Sequence, residues 1–129
     1  MKKSMKTAKL VIISGLMVLL ISSCKNTQEI ACTEEYRFVT ITVNGAQLDN
    51  FYTIRISNGD TIRHDQEMGL DSNVYVVLTD SYQKNIQNSV ENFVFHGLIG
   101  DSLVVNEPFV IKADMCHIDY VSGKTEVNL

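Results

Sequence analysis

From Tyr36 onward, apolar and polar residues alternate. Val39, Ile41 and Val43 fall on one face and Phe38, Thr40 and Thr42 on the other, the period-two pattern of a half-buried strand. Asn44-Gly45 supplies a turn, because both residues tolerate positive φ. Phe51 to Ser57 alternates again, with Tyr52, Ile54 and Ile56 on one face and Thr53 and Arg55 on the other. Asn58-Gly59-Asp60 is the strongest hairpin signal in the chain and returns it through Thr61 to Arg63. His64 to Asn73 is a polar loop. Val74 to Thr79, β-branched and apolar, reads as a central strand. Phe93 to Ile99, Ser102 to Val105, Phe109 to Ala113, Met115 to Val121 and Thr125 to Leu129 read as further strands. Pro108 belongs at the start or edge of one, since it cannot donate to a ladder. Asp80 to Asn92 is the exception: Tyr82, Ile86 and Val90 fall at i, i+4 and i+8, which fits one short helix or a long surface loop. Seven or eight short strands with turns between them and no long helix predict a single all-β antiparallel sandwich. The absence of tryptophan argues against an antibody-type core.

The first residues follow another pattern. Lys2, Lys3, Lys6 and Lys9 precede a run of 12 almost wholly apolar residues, Leu10 to Ile21. That run is too short to cross a hydrocarbon core of ~30 Å, which takes roughly 20 residues. A positive start and a short apolar run make a secretory signal. It ends Ile21-Ser22-Ser23-Cys24, which resembles the bacterial lipobox. That resemblance implies a lipid on the Cys24 thiol, cleavage of residues 1–23, and a chain tethered to a membrane without spanning it. Residues 24–35 then form the lipidated cysteine and its tether, and residues 36–129 the sandwich. Each buried CH₂ of such a lipid adds about 0.8 kcal/mol of membrane affinity.

The leader also carries four of the 11 basic residues and none of the 15 acids, so residues 24–129 hold seven bases against 15 acids, net −8. No basic patch remains, and nucleic acid is excluded as an expected partner. With Cys24 committed to lipid, Cys32 and Cys116 form an even pair in an oxidising compartment, and a disulfide between them is predicted. Free buried thiols, a metal site, and a catalytic Cys116 with a histidine base are the open alternatives. Cys116-His117 are adjacent, but His64 and His96 lie far off without ligand spacing.

Two stretches resemble known proteins. Phe38-Val39-Thr40-Ile41-Thr42-Val43-Asn44-Gly45, followed by Phe51 to Ile56, resembles the opening of a transthyretin-like, carboxypeptidase-regulatory-type β-sandwich. Pro108 to Ile118, with Val121-Ser122-Gly123 after it, resembles the ending of small lipoproteins of the Bacteroides group. In that group a cysteine near the mature start and one in an Ala-Asp-x-Cys-His stretch recur together, which supports the Cys32–Cys116 pair. The resemblance implies a transthyretin-like or immunoglobulin-like sandwich behind a lipoprotein signal peptide, serving as an accessory or binding module, and carries over no catalytic residues.

Other candidate chemistry is sparse. His64-Asp65-Gln66-Glu67 gathers an imidazole and two acids, but reads as a solvated loop rather than a Zn²⁺ or Ca²⁺ site. Asp71, Asp80 and Asp101 sit beside turns, where aspartate is favoured for backbone hydrogen bonding. Glu91 and Glu107 would serve glycoside chemistry only if a cleft set them about 5–10 Å apart. His96 reads as an ordinary strand histidine. Phe51, Tyr52, Tyr75, Tyr82 and Phe95 are candidates for a sugar-stacking platform. There is no phosphate loop, G-x-S-x-G or H-E-x-x-H. The expected protein is a non-catalytic, lipid-anchored binding or structural module of the cell envelope, at the outer membrane, with no metal or cofactor and with a protein or glycan partner. Two alternatives stand beside it: a subunit of a surface assembly that pairs strands, and a hydrolase using Cys116 or an acid pair.

Overall fold

The computed structural model describes residues 30–65 and 70–129. The leader and Cys24 lie outside the described residues. Eight strands and one short 3-10 helix follow one another: β1 (Phe38–Asn44), β2 (Asn50–Arg55), β3 (Thr61–Ile62), β4 (Val74–Thr79), the helix (Asp80–Ile86), β5 (Ser89–Ile99), β6 (Ser102–Ala113), β7 (Ile118–Gly123) and β8 (Glu126–Asn128). They form two sheets, ordered β4-β1-β8 and β3-β2-β5-β6-β7. The expected all-β sandwich is therefore what the chain forms. Its pairing is antiparallel except where β8 runs parallel to β1 over Thr42–Asn44. The compact unit starts at Cys32, so the last residues of the expected tether belong to the folded body.

Alternation explains the core. Val39, Ile41 and Val43 of β1 are buried, and so are Phe93 and Phe95 of β5 and Phe109 and Ile111 of β6. Phe93 stands directly opposite Phe109, so large rings from neighbouring strands fill one layer. In β2 the inward face is Phe51 and Thr53, both buried. Tyr52 and Ile54 point outward, where Ile54, Val94 and Pro108 line up across three strands.

Three expectations change. β4 is an edge strand, not a central one. Its run is apolar because consecutive side chains from Tyr75 to Thr79 are buried on both faces; Thr53 Oγ1 also donates to the Val77 carbonyl across the sheets at 2.6 Å. A second sheet thus shields an edge that would otherwise be open. β6 is one 12-residue strand that runs through Pro108. Pairing with β7 begins only at Phe109, so at Pro108 that side of β6 is unpaired and a missing N–H costs the ladder nothing. Cys116 lies in the turn between β6 and β7, not in a strand. Asp80 to Ile86 resolves as helix rather than loop, burying Gln83 and Ile86, while Val90 is exposed in β5.

Gly123 closes β7 at φ +140°, where an added Cβ would meet the Pro108 carbonyl oxygen at 2.9 Å and Phe109 Cδ1 at 2.6 Å. The neighbour is backbone and cannot swing aside. Gly123→Ala is expected to lose about 2–3 kcal/mol of stability, read from the shift in the urea midpoint at unchanged slope.

Candidate functional site: a polar junction and the cleft beside it

The start of β1, the end of β4, the helix and the Asp114–His117 turn meet at one end of the sandwich, since Phe38 pairs with Thr79 and Ala113 with both Ser89 and Ile118. The Cys32–Cys116 disulfide joins them, with Cα atoms 5.4 Å apart. It is a covalent bond between the segment ahead of β1 and the turn ahead of β7. Cys116 therefore offers no thiol, and the cysteine-based hydrolase is not the arrangement present.

Next to the disulfide, Asp80 collects a set of donors. Its Oδ2 accepts from the Arg37 N–H at 2.8 Å and its Oδ1 from the Ile118 N–H at 2.7 Å. His117 Nδ1 lies 2.7 Å from Oδ2. A carboxylate only accepts, so Nδ1 carries a proton and donates it, while Nε2 lies within hydrogen-bond distance of Thr33 Oγ1 at 2.9 Å. The side chains of His117 and Asp80 are each only 9% exposed. Burial pushes the Asp80 carboxyl up, but the Arg37 N–H, the His117 ring and the Ile118 N–H outweigh it and hold the group below the usual aspartate value. Asp114 Oδ1 accepts from the N–H groups of Cys116 (2.6 Å) and His117 (2.7 Å), which is why the turn has its shape.

Thr33, His117 and Asp80 stand in the order hydroxyl, imidazole, carboxylate. Acyl transfer would also need N–H donors aimed at a developing oxyanion. The adjacent N–H groups of Cys116 and His117 are already bonded to Asp114. What this arrangement does is fasten three chain segments together.

Beside the junction lies a cleft of about 470 Å³, within the size range of small-ligand sites. Its lining includes Tyr36, Arg63, His64, Asp65, Ser81 and Tyr82. Both tyrosines have their hydroxyls fixed: Tyr36 to Ser81 Oγ at 2.6 Å and Tyr82 to Asp60 Oδ2 at 2.8 Å. His64 Nε2 is buried and has no hydrogen-bond partner among the described residues. Burial pushes the His64 pKa below the ordinary histidine value, against the opposing pull of the Val77 backbone and Asp65. The ring is therefore neutral at pH 7, with one donor and one acceptor nitrogen. Tyr36 also borders a smaller cleft of about 290 Å³ with Phe38 and Tyr120, bridged by Arg37 to Glu35 (3.2 Å) and to Asp119 (2.6 Å).

The residues singled out from sequence are dispersed. His64 and Asp65 line the larger cleft, while Gln66 and Glu67 lie outside the described residues. Asp71 and Asp101 are exposed, in keeping with their turns, but Asp80 is the acceptor of the junction. Glu91 and Glu107 make no pair: Glu91 is bound to Arg55 at 2.7 Å and Glu107 to Lys124 at 3.4 Å. Glu107 sits opposite Phe95, four residues along β5 from Glu91, or roughly 13 Å at strand rise. The hydrolase built on that acid pair has no geometry to stand on. His96 faces Tyr52 edge-on with ring centres 5.1 Å apart, and Arg63 lies over the same Tyr52 ring at 5.0 Å. The five aromatic residues named as candidates for a sugar-stacking platform split between core and surface, because Phe51, Tyr75 and Phe95 are core residues. The exposed rings are Tyr36, Phe38 and Tyr120. Among the described residues no group of three or more His, Cys, Asp or Glu is placed to hold a metal ion.

Sequence reasoning missed Tyr36, Thr33 and the Asp80–His117 pair. Tyr36 stands alone in a polar stretch, and only its contact with Ser81 gives it a role. The Asp114-Met115-Cys116-His117 run did carry a signal, because an aspartate two and three residues ahead of free N–H groups favours a side-chain-capped turn. Comparisons of the chain with protein-family models, curated proteins and solved structures found no match.

Proposed function

We propose that this chain is a lipid-anchored lipoprotein of the cell envelope that works as a non-catalytic binding module. The observation that carries the binding half is the cleft of about 470 Å³ beside the junction, lined by the exposed Tyr36 together with His64 and Asp65. A concave site of this size with aromatic and polar side chains in its lining is the form that small-ligand sites take.

The anchoring half rests on Cys24 and its leader. Cys32, the first residue of the compact unit, follows Cys24 by eight positions. A fully extended segment of that length reaches about 26–29 Å. A lipid on Cys24 would thus hold the disulfide end of the sandwich, where the cleft opens, close to the membrane surface. Expression of the full chain in a bacterium fed labelled palmitate tests this half. Wild type is expected to take up label and to remain with the membranes after high-salt washing, and Cys24→Ser to take up none. Equal labelling of the two would overturn it.

A further inference from the structure

We infer that the face carrying Tyr36, Phe38 and Tyr120 seats on the surface of the bilayer that holds the lipid anchor; this rests on the reading of Cys24 as lipidated and names the side that the anchored domain turns to the membrane.

Three rings come together at this face. Phe38 opens β1 and Tyr120 lies in β7, an edge strand of the five-stranded sheet. With Tyr36 they line one cleft of about 290 Å³. Tyr36, Phe38 and Tyr120 are 48%, 47% and 46% exposed. Phe38 stands on the outward face of β1, with Thr40 and Thr42, while the buried face is Val39, Ile41 and Val43, so the core has no use for its ring. The tyrosine hydroxyls are already satisfied: Tyr36 by Ser81 Oγ at 2.6 Å, and Tyr120 by donating to the Gly123 carbonyl at 2.7 Å. An exposed cluster of large apolar side chains marks a protein or membrane contact. Rings with one apolar and one wet end suit the boundary of a bilayer.

The path of the chain selects the membrane. Cys32 is bonded to Cys116, and Thr33 lies against His117 at 2.9 Å, so the end of the domain nearest Cys24 is fixed to the turn ahead of β7. Tyr36 follows Cys32 by four residues, and Tyr120 follows Cys116 by four. The aromatic face thus begins where the chain leaves for the anchor. Cys24 lies eight positions before Cys32, a reach of about 26–29 Å. A surface held that close acts at roughly millimolar effective concentration. A contact too weak to hold a free domain is therefore populated once the anchor is in place.

Charge selects the kind of surface. Residues 24–129 carry seven bases against 15 acids, so attraction to anionic lipid does not drive the contact. At the face itself Arg37 is occupied by Glu35 at 3.2 Å and Asp119 at 2.6 Å. The seating is apolar and fits a zwitterionic lipid surface.

Tryptophan fluorescence tests this, because the chain has no tryptophan and each substitution supplies a single one. Phe38→Trp and Tyr120→Trp report on the face. Leu103→Trp is the comparison: Leu103 is also half exposed, but it stands ten residues along β6 from Ala113, roughly 33 Å from the disulfide end at strand rise. The full chain, extracted with its lipid, is placed in phosphatidylcholine vesicles with and without lipid brominated near the top of its acyl chains. Interfacial contacts sink about 5–10 Å below the headgroups, so bromine is expected to quench residues 38 and 120 about threefold or more beyond residue 103. Unfolding midpoints show that each variant is folded, and residues 38 and 120 are separate probes if one is not. Protein that floats with the vesicles but is quenched at no position, or equally at all three, would overturn the seating and leave the anchor standing. Blue-shifted emission at residues 38 and 120 that bromine leaves untouched would mean that a second copy covers the face, and would overturn the bilayer as its occupant. A chain that does not float with the vesicles would overturn the anchor, and the seating with it.

Discussion

Cys32→Ala/Cys116→Ala is expected to lower the unfolding free energy by about 4–5 kcal/mol. The disulfide closes residues 84 positions apart, and chain entropy gives that figure for a loop of this length. A domain of this size has about 5–15 kcal/mol in all, so the bond is a major fraction of its stability. The effect acts mostly on the unfolded chain. Released, the two ends of the domain are free of each other in the unfolded ensemble, while the folded state keeps its hydrogen bonds. Urea titration of the oxidised chain, the reduced chain and the double variant measures it. Reduced wild type and the double variant are expected to agree, with midpoints well below that of the oxidised chain. Coincident curves for all three would show that the bond holds nothing that folding does not already hold.

The second large effect belongs to Asp80. Alanine there leaves the N–H groups of Arg37 and Ile118 and the ring of His117 without their acceptor, in a place almost closed to water. Each donor so orphaned costs about 1–3 kcal/mol, and a total of about 3–5 kcal/mol is expected for Asp80→Ala. Because three segments converge on this carboxylate, the substitution loosens the start of β1, the helix and the start of β7 together. Hydrogen exchange is expected to rise at Arg37 and Ile118 ahead of the rest of the domain. Acid acts on the same group. The pKa of Asp80 is depressed in the folded state, so its contribution is complete above the unfolded value of ~3.9 and is lost as pH falls through the lower folded one. Asp80→Asn is expected to be less stable than wild type at neutral pH and to lose less on acidification below about pH 4. Parallel acid curves for the two proteins would contradict this assignment.

The sandwich was legible because alternation is a local property. Val39, Ile41 and Val43 share a face whatever they pack against, and the Asn-Gly turns mark where strands end. Sheet membership was not legible in the same way. Val74 to Thr79 is apolar because both its faces are buried, and a run of β-branched residues reads the same whether it is central or at an edge. Pro108 suggested a break for a sound local reason. Only the pairing partner, which stops at Phe109, shows that β6 passes through it. β2 shows the limit of reading faces by polarity, since Thr53 is buried through a hydrogen bond that no sequence pattern encodes.

The site was less legible than the fold. His64 and Asp65 stood out as a polar pair, but their neighbours in the cleft include Tyr36, Thr79, Ser81 and Tyr82, far along the chain. The candidate aromatic platform does not form, for a related reason. Composition does not say which ring faces the core, and most of the rings chosen came from strands whose alternation carried them inward. The exposed ring at the cleft, Tyr36, sits just ahead of β1, at the residue where the sequence pattern begins the sandwich. The disulfide was legible from counting cysteines, whereas its junction with Asp80 and His117 depends on a convergence visible only in three dimensions.

We propose one chain that is both lipid-anchored at Cys24 and closed into a domain by Cys32–Cys116. Intact mass of the full-length gene product, extracted from bacterial membranes without reductant, tests both parts at once. The expected species begins at Cys24, carries the added mass of a lipid, and is two hydrogens lighter than its reduced form. A species without lipid, or one with two free thiols at Cys32 and Cys116, would contradict it.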